Sequence, residues 1–249
     1  MDDGQLRERL WLGFARLQTL LGGQAAGGVV IERESTVASV VPAAPESPTL
    51  NAAIALAPTL DRAIPRELHE RYREAGVRRW GFWADGASPE VLAVLEAFGM
   101  RLTSRSPGMA ADLHDLPLNG GAPAAATDLA TVGRVNDLAY GNPDARLERT
   151  LAPLAPGVLR GYRADYDGRP ASVALALHHD GDCGVSFVAT APHARRQGLA
   201  RDVMHRVAHE AVEDGCTSAS LQATELGERL YRALGYRTVA DMQLWERRT

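Results

Sequence analysis

Two arginines and a glycine stand between a predicted strand and a predicted helix in the segment 188–200, which reads Val-Ala-Thr-Ala-Pro-His-Ala-Arg-Arg-Gln-Gly-Leu-Ala. The apolar start favours a buried strand, and helical spacing begins near Leu199. The first N–H groups of a helix have no partner inside it and lie at the positive end of its dipole. Gly198 lets an anion approach the backbone, and Arg195 and Arg196 can each hold a phosphate through paired hydrogen bonds. The segment therefore predicts a phosphate-binding site.

A second block, residues 220–236, reads Ser-Leu-Gln-Ala-Thr-Glu-Leu-Gly-Glu-Arg-Leu-Tyr-Arg-Ala-Leu-Gly-Tyr. It predicts a strand, a helix and a glycine stop. Arg195-x-x-Gly198-x-Ala200 resembles the pyrophosphate loop of the GCN5-related N-acetyltransferase (GNAT) superfamily. The second block resembles that superfamily's later strand and helix, which carry Leu-Tyr and Leu-Gly-(Phe/Tyr). Together the two resemblances cover roughly Ala126 to Arg247.

The resemblance implies an α/β (α+β) GNAT fold with a mixed, mostly antiparallel central sheet. It implies transfer of an acetyl group from acetyl-CoA, as co-substrate, to a primary amine of a small molecule or peptide, directly in a ternary complex. Tyr231 stands where many members place the tyrosine that protonates the leaving thiolate, although its spacing also suits a core residue. No metal site is predicted. The implied donor-binding residues are Val188, Ala189, Thr190, Arg195, Arg196, Gln197, Gly198, Leu199, Ala200, Arg201, Thr224, Gly227 and Tyr231.

The base that would deprotonate the amine is left open by the sequence. Many members carry a glutamate on the central strands, but residues 184–188, Gly-Val-Ser-Phe-Val, contain no carboxylate. An amine of low pKa needs no dedicated base. The absence also leaves open a catalytically silent acyl-CoA-binding sensor or interaction module, and a longer acyl donor is a further alternative. The residues considered as a base are Ser186 through a water, His178, His179, Glu32, Glu34 and Asp137.

The elements that would position these residues follow the order helix, hairpin, strand, helix, strand, helix, strand, as expected of a GNAT domain at 126–249. Asp128 is a plausible N-cap for a helix that ends near Tyr140, and a further helix is predicted over 143–151. Asp167-Gly168 is a strong hairpin signal between two predicted strands. The stretch 140–143 is either a plain helix stop or also part of the acceptor pocket.

Residues 1–118 predict a separate α/β domain, joined through a linker at 119–125 whose Gly, Pro and Ala content is typical of a connection. Residues 95–101, Leu-Glu-Ala-Phe-Gly-Met-Arg, resemble 231–237, Tyr-Arg-Ala-Leu-Gly-Tyr-Arg. This half is therefore either a degenerate GNAT-like copy or an unrelated cap. A copy would have lost its chemistry, because it has leucine where Tyr231 stands and no glycine where the phosphate loop would be.

The composition excludes several other classes of protein. A net charge of −4 gives no basic field for nucleic acid or an anionic membrane, and no apolar run approaches the roughly 20 residues of a membrane span. Met1-Asp2-Asp3 lacks the basic flank of a signal peptide, and only two cysteines are present, so we expect a cytoplasmic protein. The oligomeric state is left open, a homodimer included.

Overall fold

The computed structural model describes residues 1–116, 124–155 and 157–249. Short 3-10 turns lie at Leu113–Asp115 and Pro192–Ala194. The helices are α1 Asp3–Gln24, α2 Ile64–Glu74, α3 Pro89–Ala97, α4 Leu129–Tyr140, α5 Arg146–Leu151, α6 Leu199–Glu213 and α7 Glu225–Ala233. The strands are β1 Val29–Arg33, β2 Thr36–Val40, β3 Ala52–Ala55, β4 Arg79–Asp85, β5 Arg101–Asp112, β6 Ala124–Thr127, β7 Leu159–Tyr166, β8 Arg169–His179, β9 Asp182–Thr190, β10 Ser218–Gln222 and β11 Arg237–Arg248.

The chain forms two compact units, and neither is continuous in sequence. The first unit contains Met1–Gly13 and Met109–Val239, and the second contains Phe14–Gly108 and Ala240–Thr249. This differs from the predicted division into 1–118 and 126–249. The end of the chain belongs to the second unit because β11 pairs with β4 from Met242 to Arg248.

The start of the chain belongs to the first unit because a half-buried arginine of α1 donates hydrogen bonds to residues of that unit. Arg9 donates to the carbonyl of Gly181 at 3.0 Å and to the hydroxyl of Ser218 at 2.8 Å. Of the predicted linker, residues 119–123 lie outside the described residues. Ala124 and Ala125 are the first residues of β6, which pairs with β7, so the linker prediction was wrong at its C-terminal end.

The first unit is a mixed sheet with strand order β5-β10-β9-β8-β7-β6. The strands β6 to β9 pair antiparallel, and β10 returns parallel to β9 after the crossover helix α6. Apolar residues at helical spacing, Val203, Val207 and Ala211, are fully buried, and they face the sheet core. This is the mixed, mostly antiparallel sheet that the sequence predicted.

The second unit repeats the order of parts that the first unit uses. Antiparallel strands β1 to β3 lead through α2 to β4, which runs parallel to β3, and α3 and β5 follow. Its core includes Trp80, whose ring stacks on Tyr72 with centroids 4.8 Å apart. Leu95, at the position that corresponds to Tyr231, is fully buried. The unit thus has a GNAT-like order of elements without a proton-donating side chain there.

Local sequence patterns predicted some boundaries of the helices and strands correctly and missed others. Asp128 caps α4 as predicted, accepting the Thr131 N–H at 2.7 Å. The first half of β5, Arg-Leu-Thr-Ser-Arg-Ser, is too polar to signal a strand. The helix predicted from residue 143 begins at Arg146. Within the described residues, no helix combines the length and hydrophobicity needed to cross a bilayer.

Close packing of α4 on α5 gives a stability prediction. A Cβ added at Gly133 would lie within 2.5 Å of the Glu148 backbone nitrogen, so Gly133→Ala should destabilise the protein by about 2 kcal/mol. Gly23→Ala is the matched control, because Gly23 is also helical and its nearest neighbour would be a Val30 methyl at 3.8 Å. It should be neutral or stabilise by up to about 1 kcal/mol. Urea denaturation measures both, and equal midpoints would contradict the packing described.

Candidate functional site

One face of the first unit contains a cleft of about 1090 Å³, which exceeds the size of a typical small-molecule pocket. Its walls come from the end of β9, the loop and first turn of α6, the first turns of α7 and the end of α4. The lining residues are Ala139, Tyr140, Val188, Ala189, Thr190, Arg195, Arg196, Ala200, Arg201, Thr224, Glu225, Leu226, Gly227, Arg229, Leu230, Tyr231 and Ala233.

The loop before α6 has two residues in the left-handed region. Gly198, the N-cap residue, has φ +84°, and Arg196 has φ +63°. No side chain caps the helix. Among the described residues, the backbone N–H groups from Arg196 to Arg201 have no acceptor, and the first turn of a helix supplies none. A row of free N–H groups at a helix start is an anion site.

The strands beside this loop separate. Parallel pairing of β10 with β9 extends from Ser218 opposite Asp182 to Leu221 opposite Val185, and the rest of β9 has no described partner on that side. A register shift occurs in the pairing of β9 with β8, where Phe187 has φ +53°.

Beyond that irregularity, one edge of β9 has no strand partner among the described residues, and on this edge the Thr190 carbonyl is engaged by Arg195. The Ala191 N–H bonds the carbonyl of Ala171, which lies just before the paired residues of β8. Because bonding direction alternates along a strand, Ala189 also faces β8, whereas Val188 and Thr190 face the gap. An extended ligand could add to this edge as a strand does.

Arg195 lines the cleft, but its guanidinium is already engaged. Its Nε donates to the carbonyl of Thr190 at 3.2 Å and its Nη2 to the carbonyl of Ala139 at 3.0 Å. It therefore ties the end of β9 to the end of α4. The sequence predicted that Arg195 flanks a phosphate, whereas in the structure its donors hold two walls of the cleft together.

Tyr231 lies in the wall of the cleft and is 6% exposed. Burial raises the pKa of its phenol above the ordinary value, and the nearby Tyr140 adds to that shift. The ring packs over Gly227, where an added Cβ would lie 2.9 Å from the ring, and edge-on to Tyr236 with centroids 6.0 Å apart. The phenol is therefore fixed in orientation and stays protonated at neutral pH.

Thr224 and Gly227 act together at the start of α7. The Thr224 hydroxyl accepts the N–H of Gly227 at 3.2 Å, which is the N-cap bond that the sequence predicted. Three other predicted donor-binding residues, Gln197, Gly198 and Leu199, do not line the cleft with their side chains. Leu199 packs into the core, and Gln197 and Gly198 are exposed, so only their backbone groups are available to a ligand.

Asp137, one of the residues considered as a base, is buried and has a structural role. Its carboxylate accepts the N–H groups of Leu147 at 3.0 Å and Glu148 at 2.9 Å, and the Asn142 side-chain amide at 3.2 Å. These bonds cap the start of α5. A carboxylate that accepts three hydrogen bonds from these donors is fixed in place on α5.

The other residues considered as a base lie away from the cleft lining. His178 is 2.9 Å from Asp214, and His179 is 3.4 Å from the buried Asp182. Ser186 is half-buried on β9 and does not line the cleft. Glu32 and Glu34 are exposed residues of the second unit.

Sequence analysis did not identify Arg229 or Glu225, both of which line the cleft from α7. Glu225 precedes Arg229 by one helical turn, a spacing that favours an ordinary surface ion pair. The structure forms no such pair among the described residues. Tyr140, which the sequence left undecided, also lines the cleft and is 58% exposed.

Comparison with protein families agrees with this geometry. Residues 160–238 match the family model described as an acetyltransferase (GNAT) domain. The GNAT-like part of the first unit is thus residues 160–238. No curated protein sequence matches the chain at a significant level.

Solved structures similar to the chain extend the likeness beyond the GNAT domain. A GCN5-related N-acetyltransferase from Kribbella flavida is 24% identical, with a TM-score of 0.67 over 94% of this chain and 93% of that one. A putative GNAT acetyltransferase from Novosphingobium aromaticivorans is 20% identical, with a TM-score of 0.58 over 95% and 97%. A tandem GNAT protein from the clavulanic acid biosynthesis pathway is 13% identical, with a TM-score of 0.61 over 94% and 87%. At these identities the likeness shows the fold, the GNAT fold in a two-domain arrangement.

The left-handed residues of the GNAT loop give opposite stability predictions. A non-glycine residue at positive φ costs about 1–2 kcal/mol, so Arg196→Gly should stabilise the protein by about 0.5–1 kcal/mol. Gly198→Ala should destabilise it by about 1 kcal/mol, although a Cβ there would meet nothing within 4 Å. Thermal denaturation measures both variants. A lower melting temperature for Arg196→Gly would contradict the loop conformation described.

Proposed function

We propose that this protein is an N-acetyltransferase that moves an acetyl group from acetyl-CoA to a primary amine of a small molecule or peptide. GNAT acetyltransferases generally use acetyl-CoA as co-substrate. The observation that carries the proposal is the row of unpartnered N–H groups from Arg196 to Arg201 at the start of α6, beside a free strand edge. The backbone groups of Val188 and the N–H of Thr190 would bind the donor's amide-containing arm, and the N–H row its pyrophosphate.

The cleft suits such a donor in three respects. It is long enough to be lined by four separate elements, it has a free strand edge for peptide-like groups, and it has free N–H groups and arginines for phosphates. The phosphate end and Tyr231 lie on the lining of the same cleft. A thioester held along this path would therefore meet a protonated phenol.

Tyr231 would give its proton to the leaving thiolate. Burial keeps the phenol in the neutral form at physiological pH, which is the form that can donate. As the amine attacks the thioester carbonyl, the C–S bond breaks and the sulfur takes up negative charge, which the Tyr231 hydroxyl neutralises. Neither cysteine would form an acyl-enzyme, because both thiols are buried and burial raises the pKa of each.

The acceptor would bind as the neutral amine, and once the C–N bond has formed its proton would pass to solvent, which also returns a proton to Tyr231, so no dedicated carboxylate from β9 is required. Asp137 is committed to capping α5, and the cleft lining contains a single carboxylate, Glu225, in the first turn of α7. An acceptor with a low pKa is the class of amine that such a site would serve. Transfer would then take place directly, with donor and acceptor bound together.

A second candidate function is an acyl-CoA-binding module without turnover. The observation that favours it is the lack of a carboxylate on residues 184–188. Elsewhere, Asp137, His178 and His179 already have polar partners of their own. Such a module would keep the phosphate site and would not depend on the Tyr231 hydroxyl.

Removing the Tyr231 hydroxyl separates the two functions. Tyr231→Phe should lower kcat about 100-fold, because a positioned general acid contributes at least that much, and should leave the Kd for acetyl-CoA within about twofold. Tyr236→Phe is the matched control, since Tyr236 is a buried neighbour that does not line the cleft. Release of free CoA with a panel of amines measures kcat. Equal rates for wild type and Tyr231→Phe would remove Tyr231 from the mechanism.

Calorimetric titration with acetyl-CoA tests the donor site itself. Wild type should bind with micromolar affinity, and an Arg196→Glu/Gly198→Asp double variant should lose binding, because two carboxylates would face the phosphates. Circular dichroism checks that the double variant is folded. A folded wild-type protein that does not bind acetyl-CoA would overturn both candidate functions.

A further inference from the structure

The cleft concentrates positive charge in a protein that is acidic overall. The chain has a net charge of −4, whereas the cleft lining contains four arginines and one glutamate. Arg195 is engaged by two carbonyl oxygens, and Arg196 stands on the loop beside the free N–H groups of α6. Two arginines, Arg201 and Arg229, remain for another anion.

Arg201 and Arg229 differ from the other arginines of α6 and α7 in having no partner among the described residues. On the same two helices, Arg206 pairs with Glu210 at 2.5 Å and Arg232 pairs with Glu228 at 2.7 Å. Arg201 and Arg229 are exposed, and neither forms an ion pair or side-chain hydrogen bond within the described parts of the chain. Like charges that line one cleft without acidic partners repel each other, and a bound anion would relieve that repulsion.

The two arginines lie on different walls of the cleft. Arg201 lies in the first turn of α6, next to the N–H row, and side chains on a helix lean towards its N-terminus, so this guanidinium can reach the loop end of the cleft. Arg229 lies in the second turn of α7, on a separate wall. A ligand whose pyrophosphate binds the N–H row could therefore place a further phosphate group between α6 and α7.

We propose that Arg201 and Arg229 form a second anion site that binds the 3′-phosphate of CoA. The site would make the protein selective for CoA over 3′-dephospho-CoA. This inference rests on the proposed function, because it assigns the same cleft to a CoA donor. CoA carries a phosphomonoester on its ribose in addition to the pyrophosphate, and guanidinium groups bind such a dianion through paired hydrogen bonds.

The test is calorimetric titration of the full chain with CoA and with 3′-dephospho-CoA at one fixed salt concentration. Wild type should bind CoA at least about tenfold more tightly than 3′-dephospho-CoA, because the dephospho form lacks the phosphate that accepts the charge-assisted hydrogen bonds. Arg229→Gln should weaken CoA binding about tenfold, leave 3′-dephospho-CoA binding unchanged and bring the ratio of the two Kd values close to one. Arg201→Gln should act in the same direction.

Arg232→Gln is the matched control, because Arg232 is an exposed arginine of the same helix that pairs with Glu228 and does not line the cleft. It should keep the wild-type ratio. Equal wild-type affinities for the two ligands would overturn the second anion site while leaving the donor site intact. An equal loss of affinity for both ligands in Arg229→Gln would assign Arg229 to the pyrophosphate instead. A change confined to the KM of the amine would assign Arg229 to the acceptor. Failure of wild type to bind either ligand would overturn the proposed function as well.

Discussion

The separation of β9 from β10 after Val185 is the constraint on which the rest of the site depends. A sheet in which the two strands stayed paired would use up the backbone groups of Val188 and Thr190, and a ligand could not add to that edge. Separation is compatible with a stable fold only because the strands are held firmly where they do pair. The Asp182 carboxylate, which is fully buried, accepts the hydroxyl of Ser218 at 2.5 Å and that of Ser220 at 2.6 Å.

Other contacts hold the separated strand in its new direction. The Asn136 side chain of α4 donates to the carbonyl of Phe187 at 3.4 Å, at the residue where β9 changes register. Arg195 then bonds the last carbonyl of β9 to the end of α4. Helix α4 is itself fixed on α5 through the Asp137 carboxylate and the close approach at Gly133. The open edge is thus supported by polar contacts, while the backbone groups of Val188 and the N–H of Thr190 are left free for a ligand.

Features of the fold that depend on neighbouring residues could be predicted from sequence, and features that depend on distant pairing could not. The α6 boundaries, the caps at Asp128 and Thr224 and the hairpin at Asp167-Gly168 follow from local propensity and turn chemistry. The pairing of β11 with β4 joins residues more than a hundred positions apart, so no local pattern could assign the end of the chain to the second unit.

The same distinction applies to the site. The loop motif predicted free backbone N–H groups before α6, because glycine spacing before a helix is a local signal, and their binding of a donor stays a prediction. The motif could not show that the Arg195 guanidinium bonds Ala139, since that contact crosses from the loop to α4. Asp137 looked available as a base because its partners, Leu147 and Glu148, lie beyond a loop of unknown course.

The most direct measurement is amide hydrogen exchange of peptides that cover residues 194–203, with and without saturating CoA. Unpartnered N–H groups exchange rapidly, so the amides from Arg196 to Arg201 should exchange fast in the free protein and slow markedly when the pyrophosphate binds them. Peptides from α3, in the second unit, should not change. Slow exchange of these amides in the free protein, or exchange unaltered by saturating CoA, would contradict the claim that this backbone forms the donor site.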